Sequence, residues 1–130
     1  QVIILASLVE REVRTDSDRA IVAGILIKRL HQQWPLQVDA TVQYIVGRTD
    51  NWWPQNLTRD DIDINSAYNT YAHTGLPPAP IANPGLDAIQ AVMSPRQSNY
   101  WFYLSDLEGN IHYATTIEEH NANISRYLTK

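Results

Sequence analysis

Cysteine is absent from the 130 residues, which excludes disulfides, thiolate metal sites and a cysteine nucleophile together. No block of like charge is present either. Lys and Arg number 10 against 14 Asp and Glu, for a formal charge of −4. A nucleic-acid-binding domain usually shows a basic patch, so nucleic acid is not an expected partner. No apolar run is long enough to span a bilayer, and no basic-then-apolar leader precedes the first helical pattern. Because the first residues already read as helix, the chain reads as a piece of a longer protein, with any signal or membrane anchor upstream. A Gly-rich phosphate loop, a GxSxG elbow, an HExxH pair, internal repeats and low-complexity tracts are all missing.

What remains suits one compact domain. Hydrophobic residues make up 44% and charged residues 18%, enough to fill a core and too apolar for a disordered chain. Ile3 to about Val13 is apolar on nearly every side and predicts a buried helix. Asp16, Ser17 and Asp18 offer a cap and first-turn acids for a second helix over about Ser17 to Gln33, stopped by Trp34-Pro35. "PLQVDATVQYIVGR" fits either a short helix capped by Asp39 or a strand. From Asn51 to Pro80 no period holds, and tyrosines and prolines argue for a long, ordered, aromatic-rich loop region.

Asn83-Pro84-Gly85 predicts the start of another helix, with Asn83 as cap, that ends by Pro95. "YWFYLS" and "IHYAT" flank Gly109 as a β-hairpin. Thr116 with Glu119 forms a capping box for a last helix to about Leu128. The expected fold is α+β: a mostly helical single domain with a small antiparallel hairpin.

The stretch "LASLVEREV" carries two glutamates two residues apart, so on a helix they point about 200° from each other and cannot act on one atom. Glu10 shares its side with Ile3, Ala6 and Ser7, where small residues leave room for something to lie. Its place near a helix C-terminus, with partial burial, would raise its pKa and fit it for general acid work. The alternative is that Glu10 and Glu12 are both solvated helix-end charges. Gln37 and Asp39 would lie side by side if extended; otherwise Asp39 is a cap. Tyr68, Asn69 and Tyr71 suit sugar rings, whose CH faces stack on aromatics while hydroxyls take hydrogen bonds. The same residues could instead pack a loop on itself. His73 and His112 stand at no zinc-ligand spacing with His120, and His31 lies apart, so no metal or other cofactor is expected.

Taken in order, "LASLVEREV", "DRAIVAGILIKRL", "LQVDATVQY", "AYNTYAHTGLPPAPIANPG" and "HYATTIEEHN" resemble the signature segments of the MltG/YceG-like endolytic murein transglycosylases across nearly the whole chain. The resemblance implies the catalytic domain, residues 1–130, of a bacterial cell-envelope enzyme acting outside the cytoplasmic membrane, its membrane anchor and LysM-like domain lying beyond this sequence. The implied substrate is peptidoglycan, with cell-wall synthases as possible partners. Glu10 maps to the family's catalytic glutamate. It would protonate the leaving oxygen of a MurNAc–GlcNAc bond, then take the proton of the muramic 6-hydroxyl as that group closes a 1,6-anhydro ring. Ser7, Gln37, Asp39, Tyr44, Tyr68, Asn69 and Tyr71 are the implied substrate contacts. Ala40 stands where the family commonly has proline, and Ala79 where it has glycine; both positions are expected in loops. Rival readings are a muramidase with Asp39 as base, and a non-catalytic glycan-binding module that recruits synthases.

Overall fold

Residues 1–128 are described in a computed structural model of the chain. Helix α1 (Val2–Glu12) buries Leu5 through Val9 without a break, as its all-round apolar sequence requires. Helix α2 (Asp16–His31) begins one residue earlier than the acids suggested: Thr15 is the cap, its hydroxyl accepting the Asp18 N–H at 3.3 Å. It closes in a Schellman turn without glycine. Gln33 takes φ 58°, its N–H meets the Leu30 carbonyl, and the Trp34 N–H meets that of Arg29.

The ambiguous stretch is helical, forming α3 (Asp39–Val46). Val38 holds the cap position and Asp39 is the first helical residue, where its charge still favours the helix dipole. Ala40 therefore lies in the first turn of a helix, fully buried, and not in a loop; a first turn is also where proline is tolerated. Inside the supposed loop region one helical turn, α4 (Arg59–Ile62), is set by a Thr58–Asp61 capping box. Helix α5 (Leu86–Met93) starts with Gly85 as cap, two residues after Asn83.

Strands β1 (Phe102–Ser105) and β2 (Ile111–Ala114) pair antiparallel, Tyr103 opposite Tyr113. Gly109 turns the hairpin at φ 90°, and Asp106 holds it by accepting the N–H groups of Glu108 and Asn110 at 2.9 Å. Helix α6 (Ile117–Tyr127) carries the expected Thr116–Glu119 capping box. The fold is thus α+β. Helix α5 packs across α1 and α2, while α6 covers the hairpin. The main core joins α1, α2 and α5 through Leu8, Val9, Val22, Leu26 and Ala88. No helix among the described residues is long and apolar enough to cross a membrane.

Candidate active site

Two cavities meet at the C-terminal end of α1. One, of about 410 Å³, is lined by Arg29, Gln37, Tyr71, Tyr103 and His120. The other, of about 570 Å³, is lined by Glu10, Arg14, Gln43, Trp53 and Asp106. Glu12, Asp39 and Ser105 border both. A chain-like ligand lying through the two would therefore pass Glu12 in mid-course.

Glu12 is the last residue of α1 and keeps part of its surface open to this cleft. Burial pushes its carboxyl up from 4.5 to about 7. The Tyr103 hydroxyl, donating to Oε1 at 2.8 Å, works against that rise, and the charge of Asp39 adds to it. Near neutral pH the group is thus poised between its acid and carboxylate forms. Burial, then the charge of Glu12, drives the Tyr103 phenol well above its usual value, so it remains a donor. Tyr71 stays protonated for the same reasons, burial first and then Asp39, and donates a hydrogen bond to Asp39 Oδ1.

The wall behind these groups is built by Arg29, buried at 5% exposure in α2. Its Nε and Nη2 donate to the Trp101 carbonyl at 2.9 and 2.7 Å, and its Nη1 to the carbonyls of Pro35 and Leu36. One guanidinium thus ties α2 to both the residues entering β1 and the segment ahead of α3. His120 stacks on Phe102 with centroids 5.1 Å apart. Burial, then the charge of Arg29, lowers its pKa and favours the neutral ring. Its buried Nδ1 has no hydrogen-bond partner among the described residues.

A threonine clasp brings the two sequence segments of the cleft together. Thr70 Oγ1 accepts the Val38 N–H at 2.9 Å, Thr41 Oγ1 donates to the Val38 carbonyl at 2.7 Å, and the two hydroxyls meet at 3.0 Å. Gln37 sits between this clasp and buried Leu36 with φ 54°, a left-handed conformation that is uncommon for such a residue and concentrated at functional sites.

Of the residues singled out in the sequence, Gln37, Asp39 and Tyr71 stand together with Glu12 around the first cavity. Glu10 borders only the second, and its Oε1 accepts the Gly85 N–H at 2.6 Å at the start of α5. Ser7 and Asn69 do not reach a cleft: both are wholly buried. Ser7 Oγ donates to the Ile4 carbonyl and accepts the Ile81 N–H. The Asn69 amide donates to the Ile62 and Ile64 carbonyls, each at 2.8 Å, and accepts the Tyr71 N–H. They shape the site from within the fold. The rings of Tyr44 and Tyr68 meet at a tilt with centroids 5.2 Å apart, with Tyr44 in a separate aromatic pocket. Glu12, Arg29 and Tyr103 were not singled out as site residues, because their roles depend on partners distant in sequence. His112 bonds Asp106 at 2.8 Å within the hairpin and stacks on Tyr127 of α6.

Fold and cleft together define a small α+β domain with a poised carboxyl midway along a polar groove. The chain matches the YceG-like family over residues 1–126 and belongs to it. It is 34% identical to an endolytic murein transglycosylase of Bacillus subtilis (strain 168), covering 99% of this chain and 35% of that protein. It is also 34% identical to one from Streptococcus pneumoniae serotype 2 (strain D39), over 98% of this chain and 24% of that protein. The crystal structure of a yceG-like protein of Listeria monocytogenes superposes with a TM-score of 0.85 at 34% identity, over 93% of this chain and 38% of that one. The chain thus spans about a third or less of the curated relatives it matches.

Proposed function

We propose that this chain cuts glycan strands of peptidoglycan internally, as an endolytic lytic transglycosylase, and that Glu12 rather than Glu10 carries the proton. Its place of work is the bacterial cell envelope, at the outer face of the cytoplasmic membrane. An anchor and any cell-wall synthase partner belong to the full-length protein. The relatives' names support the substrate class. One observation supports the residue: a carboxyl that burial pushes up to about 7 sits where two cavities meet, under a tyrosine hydroxyl.

The chemistry follows from that proton. Glu12 in its acid form protonates the oxygen leaving C1 of MurNAc, and the C1–O bond breaks through an oxocarbenium-like state. Asp39 adds negative charge beside the developing cation. The muramic 6-hydroxyl, tethered to the reacting sugar, bonds to C1 and gives its proton to the Glu12 carboxylate. The acid is regenerated, no water is consumed, and the new end is a 1,6-anhydro sugar. Gln37 and neutral His120 supply hydrogen bonds to the sugar substituents.

Glu10 has a structural part in this reading. Its carboxylate caps α5 through the Gly85 N–H and so fixes the helix that packs behind the catalytic end of α1. The test compares Glu12→Gln with Glu10→Gln on purified glycan strands, by mass spectrometry and melting. Glu12→Gln should release no anhydro ends and keep its fold. Glu10→Gln should still turn over, with stability lower by about 1 kcal/mol. The opposite pattern would overturn the assignment. Ends heavier by one water would instead favour a muramidase with Asp39 as base.

A further inference from the structure

The indole of Trp52 is 77% exposed. An aromatic left so far in water contributes little to the core and keeps its face open for stacking on a ligand. Its backbone is held firmly. Arg48 and Asn51 exchange N–H···O bonds of 3.0 and 3.1 Å just before it, and the Gln43 side chain donates to the Pro54 carbonyl at 2.9 Å just after it. Gly47 lies so close to the Trp52 carbonyl that a Cβ there would collide with it. Helix α3 thus holds the Trp52 segment by a side-chain bond and a close backbone approach, while the ring stays free.

That ring borders a cavity of about 290 Å³ with Tyr44, Ile81 and Asn83. Tyr44, 43% exposed, is steadied by Tyr68 at 5.2 Å. Arg11 lies 3.8 Å over the Trp53 ring, and both residues border this pocket and the larger cavity that reaches Glu12. The pocket is thus a neighbour of the cleft, with aromatic faces for CH groups and Asn83 and Arg11 at its rim for hydroxyls and amides.

We propose that the Trp52–Tyr44 pocket is a distal sugar subsite, stacking a pyranose ring of the same glycan strand whose bond lies at Glu12. The identity of the polymer rests on the transglycosylase reading. A sugar fits better than a stem peptide, because the exposed groups are flat aromatic faces next to the groove that carries the strand.

The test is made in full-length protein carrying Glu12→Gln, so that strands bind without being cut. Calorimetry with amidase-stripped, peptide-free glycan strands should show Trp52→Ala weakening binding roughly three- to tenfold, with Trp52→Phe close to the parent. An indole N–H resonance that moves on strand addition should vanish in the Trp52 variants. The melting temperature should not change, since the ring is exposed. Strands that bind equally with and without Trp52 overturn the subsite alone, as does a Trp52 effect confined to peptide-bearing strands. A Glu12→Gln protein that binds no strand overturns the subsite and the proposed substrate together.

Discussion

The hydroxyl of Tyr103 on β1 donates to Oε1 of Glu12 on α1 at 2.8 Å, across 91 positions of sequence. The bond matters because it favours the carboxylate while burial favours the acid, and burial is the larger influence. The balance leaves the group at about 7.

Tyr103→Phe removes the influence that lowers the Glu12 pKa. The alkaline limb of the turnover profile should then shift upward, by about half a unit to one unit. In the parent that limb should fall near pH 7, because the first step of the proposed mechanism needs the protonated form. A pH–rate profile of anhydro-end release measures both; a limb at an ordinary carboxylate value in the parent would count against Glu12 as the acid.

The same shift makes stability depend on pH. Glu12 holds its proton more tightly folded, at about 7, than unfolded, at 4.5. Its favourable contribution is complete below about 4.5, declines as pH rises, and is lost above about 7. Glu12→Gln carries no such proton. Relative to the parent it should therefore gain on the order of 1–3 kcal/mol between pH 4 and pH 9. Denaturant unfolding at the two pH values checks this; parallel behaviour of parent and variant would contradict the buried acid.

Arg29→Lys keeps the charge and loses the fork that reaches Trp101, Pro35 and Leu36 at once. It should destabilise by about 2–4 kcal/mol. It should also lower turnover, since both the β1 entry and the Gln37 segment are released. Calorimetric melting beside an activity assay reads both, and an unchanged melting temperature would show the fork to be dispensable.

Local signals carried much of the fold. The hairpin turned by Gly109 and the Thr116–Glu119 capping box depend on neighbours a few residues away, and both stand where the sequence put them. The Thr58–Asp61 box is the same signal, obscured by a surrounding segment without periodicity. Helix α5 begins late because the partner of the Gly85 N–H is Glu10, which no local pattern reveals.

The site was legible in part for the same reason. Gln37, Asp39 and Tyr71 stand out by residue type as candidate contacts, and all three border the first cavity. The small residues Ala6 and Ser7 suggested room for a ligand beside Glu10. That room is filled by the chain from Ile81 into α5, since Ser7 takes the Ile81 N–H. Helix geometry alone cannot say which side of α1 another element will cover. The environment of Glu12 is made by Tyr103 and Asp39, both remote in sequence.

The Tyr103–Glu12 bond also ties the environment of this carboxyl to the docking of the hairpin on α1. A polypeptide that ends before Phe102 contains the glutamate but neither the strand that shields it nor the phenol that tempers it. In such a stub the side chain titrates as an ordinary carboxylic acid and stands ionised at neutrality. Under the proposed role of Glu12, a working proton donor therefore exists only while the hairpin is docked on α1, and a copy in which that contact has opened holds an idle carboxylate.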